Sequence, residues 1–330
     1  MKNKSYGVIG AGSWGTALVK IFSENLDELN WYVRTKEIID GIYENKRNPK
    51  YLRHVQLKTK KLNISNDLQK IIKLSDILII AIPSPFIDLT FESSVNLLKD
   101  KYIISASKGV IPKSQLVISE HFRINYGINK NHIGIISGPC HAEEVALEKL
   151  SYLTVGVRSK TLGNYISKNL KSKYIKPSVS TDIIGIEYSA TLKNIYSILV
   201  GICHGLGYGD NFLSVVISHC AKELKLFIRT IHQIKRDINH SAYIGDLLVT
   251  TYSVFSRNKT FGNMIGKGYS VKSAMSEMSM VVEGYYASKN AYEITKNDKN
   301  EFLFIQSVYK ILYKGISPEK IVKEISEKLY

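Results

Sequence analysis

The stretch Tyr6-Gly7-Val8-Ile9-Gly10-Ala11-Gly12-Ser13-Trp14-Gly15 decides the fold. It opens as a short apolar run and is followed by Thr16 to Glu24, where Ala17, Leu18, Ile21 and Phe22 share one helical face. Strand, glycine turn and helix in that order are the setting a dinucleotide-binding G-x-G-x-x-G requires. Gly10 makes the tight turn, Gly12 lets the backbone reach a pyrophosphate, and Gly15 lets the helix lie close to the sheet. The unpaired N–H groups at the helix start then favour phosphate. Three glycines by themselves suit a purely structural turn equally well; the flanking strand and helix favour a nucleotide.

Outward from the turn, Leu29 to Arg34 reads as a second strand. About 20 residues past the motif, an Asp or Glu binds the adenosine ribose, whereas an Arg suits a 2′-phosphate. Arg34 stands there, and the first acid is Glu37. This points to NADP(H) ahead of NAD(H), against the alternative of an ordinary surface arginine. Residues 37–70 are polar and carry few strong signals. Three unbroken apolar runs follow: Ser75 to Pro83, Tyr102 to Gly109 and His132 to Pro139. Runs without alternation suit strands covered on both faces of a parallel sheet. A helical segment around Leu116 to Phe122 separates the last two, and Ser151 to Val157 adds another strand. The pattern is α/β, a doubly wound sheet domain over residues 1–180. Lys108, Gly138, Cys140 and His141 fall just past strand ends, where such sheets form their crevice.

The second half, residues 181–330, reads as all-helical. After a Thr181-Asp182 cap, the run to Gly205 carries only Glu187 and Lys193 as charges between Ile183 and Cys203. Those charges, with Gly185 and Asn194, argue against a membrane span and for a central buried helix. Lysine is almost never buried without a partner or a task, so Lys193 is the informative charge; a head snorkelling to the surface is the alternative. A second long helix runs from about Asn211 to Ile234. Ser256-Arg257-Asn258 can offer a forked cation and neutral donors to a phosphate. Ser317-Pro318 starts the last helix.

Composition narrows the function. Lys and Arg total 45 against 29 Asp and Glu, a formal net charge of +16. The excess is spread along the chain, which suits solvated surface lysines and argues against a specific nucleic-acid arm. Three cysteines without a C-x-x-C imply no disulfide framework and fit a reducing cytoplasm. The apolar run after Lys2 and Lys4 is broken by Gly7, Gly10 and Gly12, so it is a strand and not a signal peptide. The eight histidines show no metal spacing, and no metal is expected.

Taken together, these motifs resemble bacterial NAD(P)-dependent sn-glycerol-3-phosphate dehydrogenase over almost the whole chain. The signatures in order are Gly10 to Gly15, Ser107-Lys108-Gly109, Ser137-Gly138-Pro139 with Ala142 and Glu144, Leu192-Lys193-Asn194, Gly245-Asp246-Leu247, Ser256-Arg257-Asn258 and Val281-Val282-Glu283-Gly284. The resemblance implies a Rossmann-type domain followed by a helical substrate domain. It also implies interconversion of dihydroxyacetone phosphate and sn-glycerol 3-phosphate for phospholipid synthesis in the cytoplasm, without membrane insertion. A homodimer is left open.

By the same resemblance Lys193 is the catalytic proton donor and acceptor. Lys108 contacts both cofactor and substrate, and Gly138, Cys140, Asp246, Ser256, Arg257 and Asn258 contact substrate. Ser13, Trp14, Arg34, Ala142, Arg257, Val281 and Glu283 contact the cofactor with Gly10, Gly12 and Gly15. Burial and the second cation Lys108 would bring the Lys193 ammonium toward neutrality. One departure is Cys140-His141, where the family usually has Ser or Thr, then Phe. A thiol is a weak hydrogen-bond partner, which puts a side-chain contact in doubt and leaves a backbone one. Two alternatives stay open at this stage: a hydroxy-acid relative lacking the phosphate contacts, and a regulator or nucleic-acid binder that needs no Lys193.

Overall fold

The computed structural model describes residues 4–329, and the chain divides into two compact units between Ile183 and Ile184. Among the described residues the first holds ten strands: β1 Tyr6–Ile9, β2 Leu29–Tyr32, β3 Leu62–Ser65, β4 Ile77–Ile80, β5 Tyr102–Ser105, β6 Val110–Ile111, β7 Leu116–Val117, β8 Ile133–Ser137, β9 Ser151–Val157 and β10 Ile175–Ser180. Eight form one sheet in the order β10-β9-β8-β5-β4-β1-β2-β3, and β6 and β7 pair as a short hairpin. From β3 across to β8 every pairing is parallel. β9 runs antiparallel to β8, and β10 runs parallel to β9.

The unbroken apolar runs are explained by two cores. Along β4, Ile77 and Ile79 enter one core with Val8, Trp31 and Leu18, while Leu78 and Ile80 enter the other with Ile9, Phe91 and Phe122. A strand buried on both faces has no polar face to alternate with. Strand order reverses between β1 and β4. Loops leaving neighbouring strands on opposite sides of that point open a crevice beyond the strand C-termini.

Several elements carry no clear signal in the sequence. Residues 37–70 contain most of the helix Lys36–Asn45, all of β3 and the start of the helix Leu68–Lys73. β10 lies beyond the last strand expected from sequence, Ser151 to Val157. The segment read as helical from Leu116 begins with β7, and its helix is Ile118–Ile124. Such short elements complete too few periods to stand out from their surroundings.

The second unit is helical: Ile183–Gly205, Asp210–Ile231, Asp246–Tyr252, Arg257–Gly266, Val271–Glu277, Glu283–Thr295, Leu303–Lys314 and Pro318–Lys328. The helix Ile183–Gly205 is the core, with Ile186, Leu192, Ile195, Tyr196, Ile198, Leu199 and Ile202 fully enclosed. Among the described residues no helix is long and apolar enough to cross a membrane. Helix Arg257–Gly266 interlocks with this core helix through reciprocal glycines. A Cβ on Gly201 would stand 2.2 Å from Lys259 O, and one on Gly262 would stand 2.1 Å from Ile198 O. Backbones that leave no room for a Cβ on either side fix where the start of the shorter helix lies.

Candidate active site

In the first unit the site is built mainly from backbone. Gly10 has φ +118°, and a Cβ there would lie 2.4 Å from Ala81 O on the neighbouring strand exit. A Cβ on Gly15 would stand 2.2 Å from Gly10 O, so the helix Ser13–Asn25 can approach the turn only without one. Gly10 O also accepts the indole N–H of buried Trp31 at 2.9 Å. Around Gly12, by contrast, a Cβ would meet nothing within 4 Å. The three glycines thus divide into two packing positions and one open position.

The helix that follows has Gly12 as its N-cap, no side-chain cap and no acid in its first turn. Its positive end is therefore uncompensated locally. The buried indole N–H of Trp14 has no hydrogen-bond partner among the described residues. These features fit a dinucleotide: an open backbone approach, an uncapped helix start and an orphaned donor beside them. Arg34 is exposed two residues beyond β2, whose Tyr32 is in register with Ile9 at the end of β1.

Lys108 is half-buried, beyond β5. Ser107 before it donates its hydroxyl to Ile82 O at 2.5 Å, tying this segment to the exit of β4. Gly109 after it has φ +110°. Gly138 leaves β8 with φ +135°, and a Cβ there would strike Tyr152 O at 2.6 Å. Cys140 is half-buried and packs against the apolar core of the unit, while Ala142 opens the helix Ala142–Ala146. Arg34, Lys108, Gly138, Cys140 and Ala142 all follow strands of the parallel region, at its C-terminal edge.

In the second unit the site is built from side chains. Lys193, in the middle of the core helix, is enclosed with its ammonium ion-paired to Asp246, which is 0% exposed. Asp246 begins the helix Asp246–Tyr252, entered from a π-helical turn Ser241–Gly245. From sequence, Lys193 is expected to be buried beside a second cation. The structure supplies the burial and pairs the ammonium with an anion, which aims it. One helical turn on, Ser197 donates to Thr250 O at 2.9 Å and its hydroxyl meets that of Ser256 at 2.8 Å.

Ser256 is buried and its hydroxyl accepts Lys259 N–H at 3.3 Å as the N-cap of Arg257–Gly266. Its side chain is therefore engaged within the unit, and it supports the helix start that carries Arg257 and Asn258. Asn258 accepts Gly284 N–H at 3.0 Å through Oδ1, which leaves its amide N–H groups as what it offers a ligand. Arg257 is exposed and Nη1 approaches Val281 O at 3.4 Å. The structure thus gathers Lys193 with Asp246, and Arg257 and Asn258 with Val281 and the start of the helix Glu283–Thr295. Among the described residues no cluster of His, Cys, Asp and Glu could hold a metal ion.

One residue with a clear place at the turn carried no motif. Asn48 is fully buried and its amide donates to Ala11 O at 3.0 Å and to Thr16 Oγ1 at 2.8 Å. A buried Asn between Arg47 and Pro49 looks in sequence like any loop residue, so only its burial could have revealed it.

A glycine-turn crevice at the switch point of a parallel sheet, followed by a helical unit with a buried lysine, defines a nicotinamide-dependent dehydrogenase of the two-domain Rossmann class. Comparison with known proteins narrows this. Residues 5–163 match the model for the N-terminus of NAD-dependent glycerol-3-phosphate dehydrogenase, and residues 182–323 the model for its C-terminus. The chain belongs to the NAD-dependent glycerol-3-phosphate dehydrogenase family. It is 33% identical to the glycerol-3-phosphate dehydrogenase, NAD(P)+, of Macrococcus caseolyticus, over 96% of each chain. Identity to the enzyme of that name from Bacillus subtilis is 32%, over 98% of this chain and 94% of that one. The crystal structure of glycerol-3-phosphate dehydrogenase from Coxiella burnetii shares the fold with a TM-score of 0.88, at 23% identity and 99% coverage of both chains.

Proposed function

We propose that this chain interconverts dihydroxyacetone phosphate and sn-glycerol 3-phosphate, using NADP(H) in preference to NAD(H), to supply glycerol 3-phosphate for phospholipid synthesis. The observation that carries the proposal is the enclosed Lys193–Asp246 pair, one helical turn from the Ser197–Ser256 contact behind Arg257 and Asn258. That arrangement offers a proton donor and an anion grip on one scaffold.

A bound nicotinamide supplies the hydride for the substrate carbon. The chain would hold that cofactor with Gly10 to Gly15 at its pyrophosphate, assisted by Ser13, Trp14, Ala142, Val281 and Glu283. Arg34, with no acid before Glu37, favours a 2′-phosphate. Lys193 gives its Nζ proton to the oxygen on the reacting carbon during reduction and takes it back in the oxidation direction. Asp246 keeps the donor aimed. Lys108 places positive charge near the same oxygen, where a preorganised charge is most effective. Arg257 and Asn258 grip the phosphate and orient the carbon; Gly138 and Cys140 contribute backbone. The reading extends to a cytoplasmic enzyme, with a homodimer to be checked by light scattering.

The deciding experiment mixes purified protein with dihydroxyacetone phosphate and either NADPH or NADH, following nicotinamide absorbance. Substrate-dependent oxidation, faster with NADPH, is expected. Folded protein that oxidises neither cofactor would defeat the assignment.

A further inference from the structure

We infer that Asn48 is a positioning residue for the cofactor, holding the Ala11–Gly12 peptide in the one orientation that presents an N–H to the pyrophosphate. The inference rests on the glycine turn being the cofactor's seat.

Asn48 uses its whole amide. Nδ2 donates to Ala11 O at 3.0 Å and Thr16 Oγ1 at 2.8 Å. Oδ1 accepts Lys50 N–H and Tyr51 N–H, each at 3.0 Å. Because two backbone donors identify the oxygen, the orientation of the amide is unambiguous. The side chain is 0% exposed.

A trans peptide points its C=O and the following N–H in opposite directions. With Ala11 O held on the Asn48 side, Gly12 N–H faces the other way. Glycine accepts a wide range of φ, so the Ala11–Gly12 peptide can turn over at little intrinsic cost. Turned over, it would present a carbonyl oxygen where an anion must sit. Gly12 has the open space beside it that such a rotation needs, whereas Gly10 and Gly15 are packed against backbone. The flexible member of the turn is thus the one that Asn48 restrains. The same side chain folds the start of the 46–54 loop against the turn, bringing with it the exposed cations Arg47, Lys50 and Arg53.

Asn48→Asp separates the two halves of the amide. It retains acceptors for Lys50 and Tyr51 but loses the donor to Ala11 O. NADPH affinity, measured by calorimetry on the full-length protein, should fall by about tenfold or more. kcat at saturating cofactor should stay within about twofold, since the reacting groups are untouched. A merely structural defect would lower the active fraction, and so kcat, without moving the dissociation constant. A folded Asn48→Asp protein with wild-type affinity overturns the inference. If that variant does not fold, Thr16→Val decides. It removes the hydroxyl that steadies the amide and itself donates weakly to Ala11 O at 3.5 Å, so the whole restraint on that carbonyl is loosened, and NADPH binding should weaken about threefold; unchanged affinity overturns the inference. Wild-type protein that binds no NADPH would instead count against the role of the glycine turn itself.

Discussion

The two units make their sites by different means. In the first, the main chain is the site: Gly10 and Gly15 are pressed against neighbouring backbone, and Gly12 is left open. In the second, glycines only let helices approach, and the site is the set of side chains those helices bring together. Lys193 meets Asp246, and Ser197 meets Ser256, across long stretches of sequence. A main-chain site can be damaged by adding one carbon atom. A side-chain site is damaged by taking atoms away. On the proposed reading, dinucleotide binding suits the first kind, because N–H groups are present in any chain, and proton transfer suits the second.

The largest effect should follow Lys193→Ala. Loss of a positioned acid costs about 10²–10⁴ in kcat, while NADPH affinity should remain near wild type. Activity persisting in steady-state assays would break the contrast, because the helical unit would then not hold the proton donor. Within the first unit, Gly15→Ala and Gly12→Ala should part company. A Cβ at Gly15 meets backbone at 2.2 Å, and folded yield and melting temperature should drop sharply. A Cβ at Gly12 meets nothing, so melting should be unchanged while NADPH binding weakens. Equal melting temperatures for the two would show that packing does not separate these glycines.

Arg257→Ala should raise KM for dihydroxyacetone phosphate about tenfold or more, the usual scale for one charge-assisted contact to an anion. A KM that does not move would remove Arg257 from the phosphate grip. The smallest effect is expected for Arg34→Asp, which should shift the NADPH-to-NADH ratio of kcat/KM several-fold toward NADH, on the order of one exposed ion pair. An unchanged ratio would mean that cofactor choice is made elsewhere.

Some of this was legible without a structure. The glycine turn, the strands on either side of Lys108 and Gly138, and the buried helix around Lys193 each announce themselves by local pattern. Burial on both faces leaves an unbroken apolar run, and a nearly charge-free helix makes its one lysine conspicuous. The helix Lys36–Asn45, β3 and β10 did not announce themselves, because short and half-polar elements repeat too few times. Asp246 stood out through family resemblance; its pairing with Lys193 joins positions on two different helices. Ser256, expected as a substrate contact, also caps the helix that carries Arg257 and Asn258, a second role that only the fold displays. Asn48 carried no pattern at all.

Residue order alone therefore determined the class of cofactor, the two-part plan and the burial of Lys193, since each depends on neighbours in the chain or on local periodicity. Tertiary structure decided which partner Lys193 has, why Gly12 differs from Gly10 and Gly15, and what holds the turn in shape. Those answers depend on atoms brought within hydrogen-bonding or contact range from distant segments. Hydrogen bonds and close packing act over a few ångströms of space, whatever the distance along the chain.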